Sequence, residues 1–180
     1  EVEESFKTAS AEALAAFGDG ALFVEKYIED GRHIEVQILG DAKGNVVHLG
    51  ERDCSLQRRY QKVAEEAPGS AISQSVRELI RDSAVKISKK IGYQNAGTVE
   101  FMVDQKTGKF YFLEMNTRIQ VEHPVTEMVT GVDLVQAQIK IAGGSPIPFH
   151  QEEVRFVGHA IEVRITAENA ANSFRPSPGI

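Results

Sequence analysis

The chain has 180 residues, 42% hydrophobic and 26% charged, the composition of an ordinary globular domain with room for a core, which excludes disordered and collagen-like segments. Twenty basic against 26 acidic side chains give a net charge of −6, which argues against a general nucleic-acid surface and makes any anion site a local exception. A single cysteine, Cys54, excludes an internal disulfide framework and favours a reducing compartment, and no apolar run approaches the ~20 residues of a membrane span.

Phe6, Ala9, Ala13, Leu14 and Phe17 recur at helical spacing, so 3–17 reads as an amphipathic helix closed by Gly18-Asp19-Gly20. The β-rich run 21–28 reads as a strand. Residues 33–39 alternate Ile34, Val36 and Ile38 with His33, Glu35 and Gln37, and the turn at 41–45 leads to a returning strand at 46–50. The stretch 51–68 shows no period and reads as a structured loop. Ile72, Val76, Leu79, Ile80, Ala84, Ile87 and Ile91 mark a second helix, stopped at Gly92. Strands at 97–103 and 110–115 flank a turn at 105–109, followed by a loop containing Pro124. A helix starts at the N-cap Asp133 and ends at Gly143-Gly144, and a last strand spans 158–166. Hairpins mixed with helices define an α+β architecture with a mostly antiparallel sheet.

Glu100 and Glu114 interrupt strongly apolar strands. If the turn is 105–109, Asp104 faces Phe110 and Glu100 stands opposite Glu114, with Cβ atoms roughly 5 Å apart. Two ionised carboxylates so placed repel unless one takes a proton or a cation lies between them. Asn116 adds a neutral oxygen on the same face, completing a set that suits Mg²⁺ or Mn²⁺. The alternative is a solvated acidic face in another register. Against it stand Met102, Phe110 and Phe112, placed on the same face, which suit a planar apolar ligand such as a nucleotide base.

The run 51–62 concentrates Arg52, Arg58, Arg59 and Lys62, which suits phosphate or another small anion, ion pairing with Glu65 and Glu66, or a protein-binding patch. Residues 116–124 (NTRIQVEHP) offer an amide, a guanidinium, a carboxylate and an imidazole. Arg118 can hold a planar oxyanion, and Glu122 can act as a general base. The five histidines lack zinc-ligand spacing, and no neighbouring base identifies Cys54 as a nucleophile.

The segments EKYIE from Glu25, RHIEVQ from Arg32, ERDCSLQRRYQK ending at Lys62, EEAP from Glu65, GTVEF ending at Phe101 and EMNTRIQVEHPVTE from Glu114 closely resemble biotin carboxylase over essentially the whole chain. The resemblance implies an ATP-grasp ligase, the component of acetyl-CoA, propionyl-CoA, methylcrotonyl-CoA and pyruvate carboxylases that uses ATP and bicarbonate to carboxylate carrier-bound biotin through carboxyphosphate. It implies adenine contacts at Glu25, Lys26 and Ile28 and further nucleotide contacts at His33, Gln57, Tyr60 and Met102, with Tyr60 standing where many members carry histidine. By the same resemblance Glu100, Glu114 and Asn116 hold Mg²⁺ or Mn²⁺, and Lys62, Arg118, Gln120 and Val121 form the bicarbonate pocket. Glu122 is then the base, Arg164 stabilises the biotin enolate, and Lys62 and Arg118 belong with these two to the catalytic set.

The implied domains are 1–27 as the end of a lid subdomain and hinge, 28–153 as the ATP-grasp core, and 154–180 as the start of a C-terminal domain. The implied partners are a biotin carboxyl carrier, a carboxyltransferase and a second subunit; nucleic acid and membrane are not expected. The implied location is the cytoplasm, or the mitochondrial matrix in a eukaryote. A start at Glu1 and a turn-like close at 177–180 read as a piece of something longer. The lid loop and two ATP-binding lysines precede this segment in relatives, so the piece alone is expected to have little activity. A carbamoyl-phosphate synthase-like ligase and a non-catalytic nucleotide-binding module are the alternatives.

Overall fold

A computed structural model describes residues 1–179. In chain order it contains α1 (Val2–Phe17), β1 (Gly31–Gly40), β2 (Val46–Arg58), β3 (Gln61–Ala67), α2 (Gln74–Lys90), β4 (Asn95–Asp104), β5 (Phe110–Asn116), α3 (His123–Thr130), α4 (Leu134–Ala142), β6 (Ala160–Val163), β7 (Glu168–Asn169) and β8 (Arg175–Pro176). Strands β5-β4-β1-β2-β3-β6, in that order, form one sheet in which every pairing is antiparallel. The α+β expectation holds, and β7 pairs with β8 in a separate small ribbon.

Strand alternation divides the sheet into two unlike faces. Ile34, Val36 and Ile38 of β1, with Val99, Phe101 and Val103 of β4, point to one side, where Ile80 and Ala84 of α2 seal them into a core. The N-cap Ser73, whose hydroxyl accepts from Val76 N, fixes where α2 begins, while Lys89 and Lys90 complement its C-terminal dipole. On the opposite side Leu39 and Ala96 pack under Leu134, Ala137 and Ile141 of α4. From there towards the other end of the same face, the residues become polar: Gln37 beside Thr98, then Glu35 beside Glu100, then His33 beside Met102. Ile34, Val36, Ile38 and Leu39 of β1 therefore build the fold, and His33, Glu35 and Gln37 build a site.

Several sequence expectations are corrected. Residues 21–28 form no strand, because no strand among the described residues pairs with them, and Phe23, Val24 and Tyr27 are exposed. The supposed loop 51–68 is instead the second half of β2 and all of β3; its buried charged positions hide the alternation that periodicity looks for. Pro124 lies in the first turn of α3, where its missing N–H costs nothing. The helix 3–17 forms, but it buries none of its residues. The apolar stripe of α2 is covered only in part, since Leu79 within it and Ile91 at its C-cap remain exposed.

On β6 the apolar side of the alternation is the exposed one. Ile161, Val163 and Ile165 face outwards, while Glu162 and Arg164 turn in. The turn after β4 also differs from expectation: Val103, not Asp104, faces Phe110. A bulge between the pairs Phe101–Phe112 and Glu100–Glu114 then restores the carboxylate pairing by one residue. The bulge moves Phe110 from the expected ligand face to the core behind the sheet, against Phe101.

Candidate active site

Three carboxylates and a guanidinium lie side by side across four strands. Glu114 pairs with Glu100, Glu100 with Glu35, and Glu35 with Arg52. Like charges in adjacent strands repel, so the row persists only with cations laid over it. Lys62 is one such cation: its Nζ lies 2.5 Å from Glu35 Oε2, 3.1 Å from Glu100 Oε1 and 2.6 Å from Glu122 Oε1. Arg164 is another, with Nε 2.7 Å from Glu65 Oε1 and Nη2 2.8 Å from Glu122 Oε2. Its backbone N–H donates to Val63 O, which continues the β3–β6 ladder and fixes the side chain's approach.

Glu122 is thus clamped between two cations, one on each oxygen. Burial pushes its carboxyl up, but the Lys62 hydrogen bond, a backbone N–H and the charges of Lys62 and Arg52 outweigh this and hold it below the usual range. Glu100 follows the same pattern. Burial is opposed by His33, Lys62 and Gln120, and the carboxyl falls to about 2. Lys62 is pushed by burial towards neutrality, yet Glu35 and Glu122 hold it charged, above its ordinary value.

A cavity of about 430 Å³ gathers His33, Gln57, Tyr60, Lys62, Glu100, Glu114, Asn116, Arg118, Gln120, Val121, Glu122 and Arg164, together with Arg59 and Gln61. Glu25, Lys26, Ile28 and Met102 line a neighbouring cleft of about 390 Å³ with Tyr111 and Phe112. A Cβ on Gly31 would stand 2.3 Å from Met102 Sδ and would displace that side chain from its place in the cleft. One hollow is polar and the other largely apolar, a pairing that suits a phosphate chain and a planar base.

The Asn116 amide donates to Glu100 Oε1 at 3.0 Å and to Glu114 Oε1 at 3.3 Å. Two carboxylates converging on one donor, with an amide oxygen alongside, form an all-oxygen donor set that fits a hard divalent cation. Arg118 differs from the other cations of the floor. It is exposed, and among the described residues its guanidinium bonds only neutral oxygens, Ile119 O at 3.2 Å and Asn116 Oδ1 at 3.3 Å. It is therefore a guanidinium available to an incoming anion, as Arg59 is at the rim.

The expected cationic cluster of 51–62 is corrected in part. Arg52 is fully buried beneath the floor, and Arg58 turns away to Glu168 Oε2 at 3.1 Å and to the ring of Phe174. Glu65 pairs with Arg164 and Glu66 with Ser70, not with the arginines of that run. Cys54 is buried and its thiol pushed up by burial and by Glu35, so it stays protonated. Sequence reasoning missed Glu35 and placed Arg52 and Glu65 in a loop cluster, where the structure buries both beneath the site. Glu35 carried a usable signal: a charged residue inside a strand with partners on both sides has no route to solvent along the sheet.

The antiparallel sheet, with its flanking helices and a polar hollow beside an apolar cleft, is that of an ATP-grasp core. Residues 1–150 match the family model described as carbamoyl-phosphate synthase L chain, ATP binding domain, and the chain belongs to that family. It is 55% identical to biotin carboxylase 1 of Bacillus subtilis over 179 residues, covering 99% of this chain and 40% of that protein. A crystal structure of a biotin carboxylase-beta-gamma-ATP complex from Campylobacter jejuni superposes with a TM-score of 0.92 at 52% identity, over 98% of this chain and 39% of that one. The biotin carboxylase domain of 2-oxoglutarate carboxylase from Hydrogenobacter thermophilus, in complex with MgADP, ADP and bicarbonate, gives a TM-score of 0.90 at 55% identity, over 96% and 38%. The chain therefore spans about 40% of the length of the relative it matches.

Proposed function

We propose that the protein is the biotin carboxylase component of a biotin-dependent carboxylase, joining bicarbonate to carrier-bound biotin at the expense of ATP. The observation that carries this reading is the placing of Glu122, clamped by Lys62 and Arg164, in one cavity with the open guanidinium of Arg118 and the Glu100, Glu114, Asn116 set. The similarity to biotin carboxylases over 99% of the chain supports biotin as acceptor over a carbamoyl-phosphate synthase-like reaction.

In this reading the adenine lies in the cleft of Glu25, Lys26, Ile28 and Met102, with His33, Gln57 and Tyr60 along the path to the phosphates. Glu100, Glu114 and Asn116 hold Mg²⁺ or Mn²⁺, which supplies charge neutralisation at the transferring phosphoryl group. Arg118, Lys62, Gln120 and Val121 receive bicarbonate. Glu122, ionised at neutral pH, takes the bicarbonate proton. The bicarbonate oxygen then bonds to the γ-phosphorus while the bond from phosphorus to the ADP oxygen breaks, giving ADP and carboxyphosphate. Carboxyphosphate releases CO₂ and phosphate. The phosphate just released takes the biotin N1 proton, leaving an enolate whose oxygen Arg164 faces, and N1 bonds to the CO₂ carbon.

The domain division follows the same reading: 1–27 as lid end and hinge, 28–153 as core, 154–180 as the start of the next domain. A biotin carboxyl carrier, a carboxyltransferase and a second subunit are the partners. The location is the cytoplasm, or the mitochondrial matrix in a eukaryote; no helix among the described residues is long and apolar enough to cross a membrane.

The test is ADP release by the full-length protein with ATP, Mg²⁺ and bicarbonate, with and without free biotin. Biotin-stimulated release supports the reading, and its absence overturns it. Glu122→Gln is expected to lower kcat by about 10²–10⁴-fold with nucleotide affinity retained.

A further inference from the structure

Arg52 has no solvent exposure, touches neither cavity, and yet uses every one of its donors. Nε donates to Glu35 Oε1 at 2.6 Å. Nη1 donates to Gln37 Oε1 at 2.8 Å and Thr126 Oγ1 at 2.9 Å. Nη2 donates to Thr98 Oγ1 at 3.2 Å and Gln120 Oε1 at 3.3 Å. A guanidinium offers five N–H donors in one plane, and here each meets an oxygen. The five acceptors come from β1, β4, α3 and the loop before α3, so one side chain fixes the mutual position of four parts of the chain.

Two of these bonds reach the anion pocket. Because Gln120 gives its oxygen to Arg52, its Nε2 is left facing the site, where it donates to Glu100 Oε1 at 2.8 Å. Because Arg52 occupies Glu35 Oε1, the other oxygen is left for Lys62 at 2.5 Å. We propose that Arg52 is a positioning residue for the bicarbonate pocket: it sets which end of the Gln120 amide faces the site and which oxygen of Glu35 holds Lys62. The inference rests on the function proposed above. It separates bicarbonate from the adenine end of ATP, because the apolar cleft of Ile28, Met102 and Phe112 makes no contact with Arg52.

Neutralising the buried Glu35 is a purely structural task that lysine also performs. Orienting Gln120 while holding Glu35, Gln37 and both threonines needs the planar fork, which lysine lacks. Arg52→Lys in the full-length protein is therefore expected to raise the bicarbonate KM by about tenfold or more, with the ATP KM changed by less than about twofold. Gln120→Ala should raise the bicarbonate KM as well, and the double variant should be less impaired than the product of the two single effects, since both act through one amide. Should Arg52→Lys fail to fold, Thr98→Val combined with Thr126→Val removes two acceptors without altering charge. It is expected to shift the bicarbonate KM in the same direction by about threefold.

A crystal structure of Arg52→Lys provides a readout independent of turnover: Gln120 Nε2 should leave Glu100, and Lys62 should shift off Glu35. An unmoved Gln120 and Lys62, multiplicative double-variant kinetics, or parallel increases in both KM values overturn the Arg52 role. Absence of biotin-dependent ADP release from the wild-type protein overturns instead the function on which it rests.

Discussion

Lys62 and Glu122 meet at 2.6 Å, and this contact keeps a buried carboxyl in its basic form. Burial opposes ionisation of Glu122, and the Lys62 hydrogen bond is the first influence against it, so the carboxyl lies below its ordinary value of 4.5. The acid limb that Glu122 contributes to the kcat/KM profile should therefore lie below pH 4.5. Lys62→Met removes the hydrogen bond and one charge, leaving Arg164 and Arg52 as the cations that still oppose burial. The limb should then move upward in pH. A limb that stays in place would dissociate Lys62 from the basicity of Glu122.

Glu114 differs from Glu100 in being exposed and held by a long bond from Asn116, at 3.3 Å. Its removal should cost little stability, within about 0.5 kcal/mol. Loss of its charge from the metal set should nevertheless raise the Mg²⁺ concentration for half-maximal ADP release by about tenfold or more. Glu114→Gln, assayed by denaturation and by Mg²⁺ titration, separates the two effects. An unchanged Mg²⁺ requirement would remove Glu114 from the metal set.

His48 lies outside the site and supplies a pH dependence of folding. Burial, then the nearby Arg81, push its imidazole down from 6.5 to about 4, and its Nδ1 accepts from Gly50 N, as the neutral ring can. The folded state therefore binds the proton more weakly than the unfolded chain. The contribution of His48 is complete above pH 6.5 and is lost as pH falls towards about 4. Protonation should cost up to about 3 kcal/mol over that window. Urea unfolding of the wild type and His48→Gln at several pH values measures it, and the difference should shrink as pH falls.

Arg59 and Tyr60 connect β2 to β3 with φ of 52° and 63°, the two-residue turn in which both central positions favour Asn and Gly. Tyr60 is 99% exposed at the rim of the polar cavity. Arg59→Asn with Tyr60→Gly should stabilise the fold by about 1–2 kcal/mol and raise the ATP KM, because the rim contact is lost. A rise in stability with an unchanged ATP KM would show that Tyr60 makes no nucleotide contact.

Much of the site could be read in the sequence because its residues interrupt patterns. Glu100 and Glu114 stood out as charges in apolar strands, and their pairing was anticipated correctly although the assumed turn register was off by one. The compensating bulge could not be read, since Leu113 differs in no local property from a regular strand residue. The places of Arg52 and Glu65 were hidden for a related reason: they are charged and buried, and residue type alone places such residues on loops. The outward turn of Ile161 and Val163 was equally invisible, because alternation identifies two faces of β6 without saying which is covered.

The most direct test follows the bicarbonate oxygen. If Glu122 deprotonates bicarbonate for attack on the γ-phosphorus, the new oxygen–phosphorus bond survives when carboxyphosphate releases CO₂. With ¹⁸O-labelled bicarbonate and the full-length protein turning over ATP and biotin, mass spectrometry of the phosphate should find one bicarbonate-derived oxygen per molecule. Phosphate carrying oxygen from water and none from bicarbonate would contradict the account.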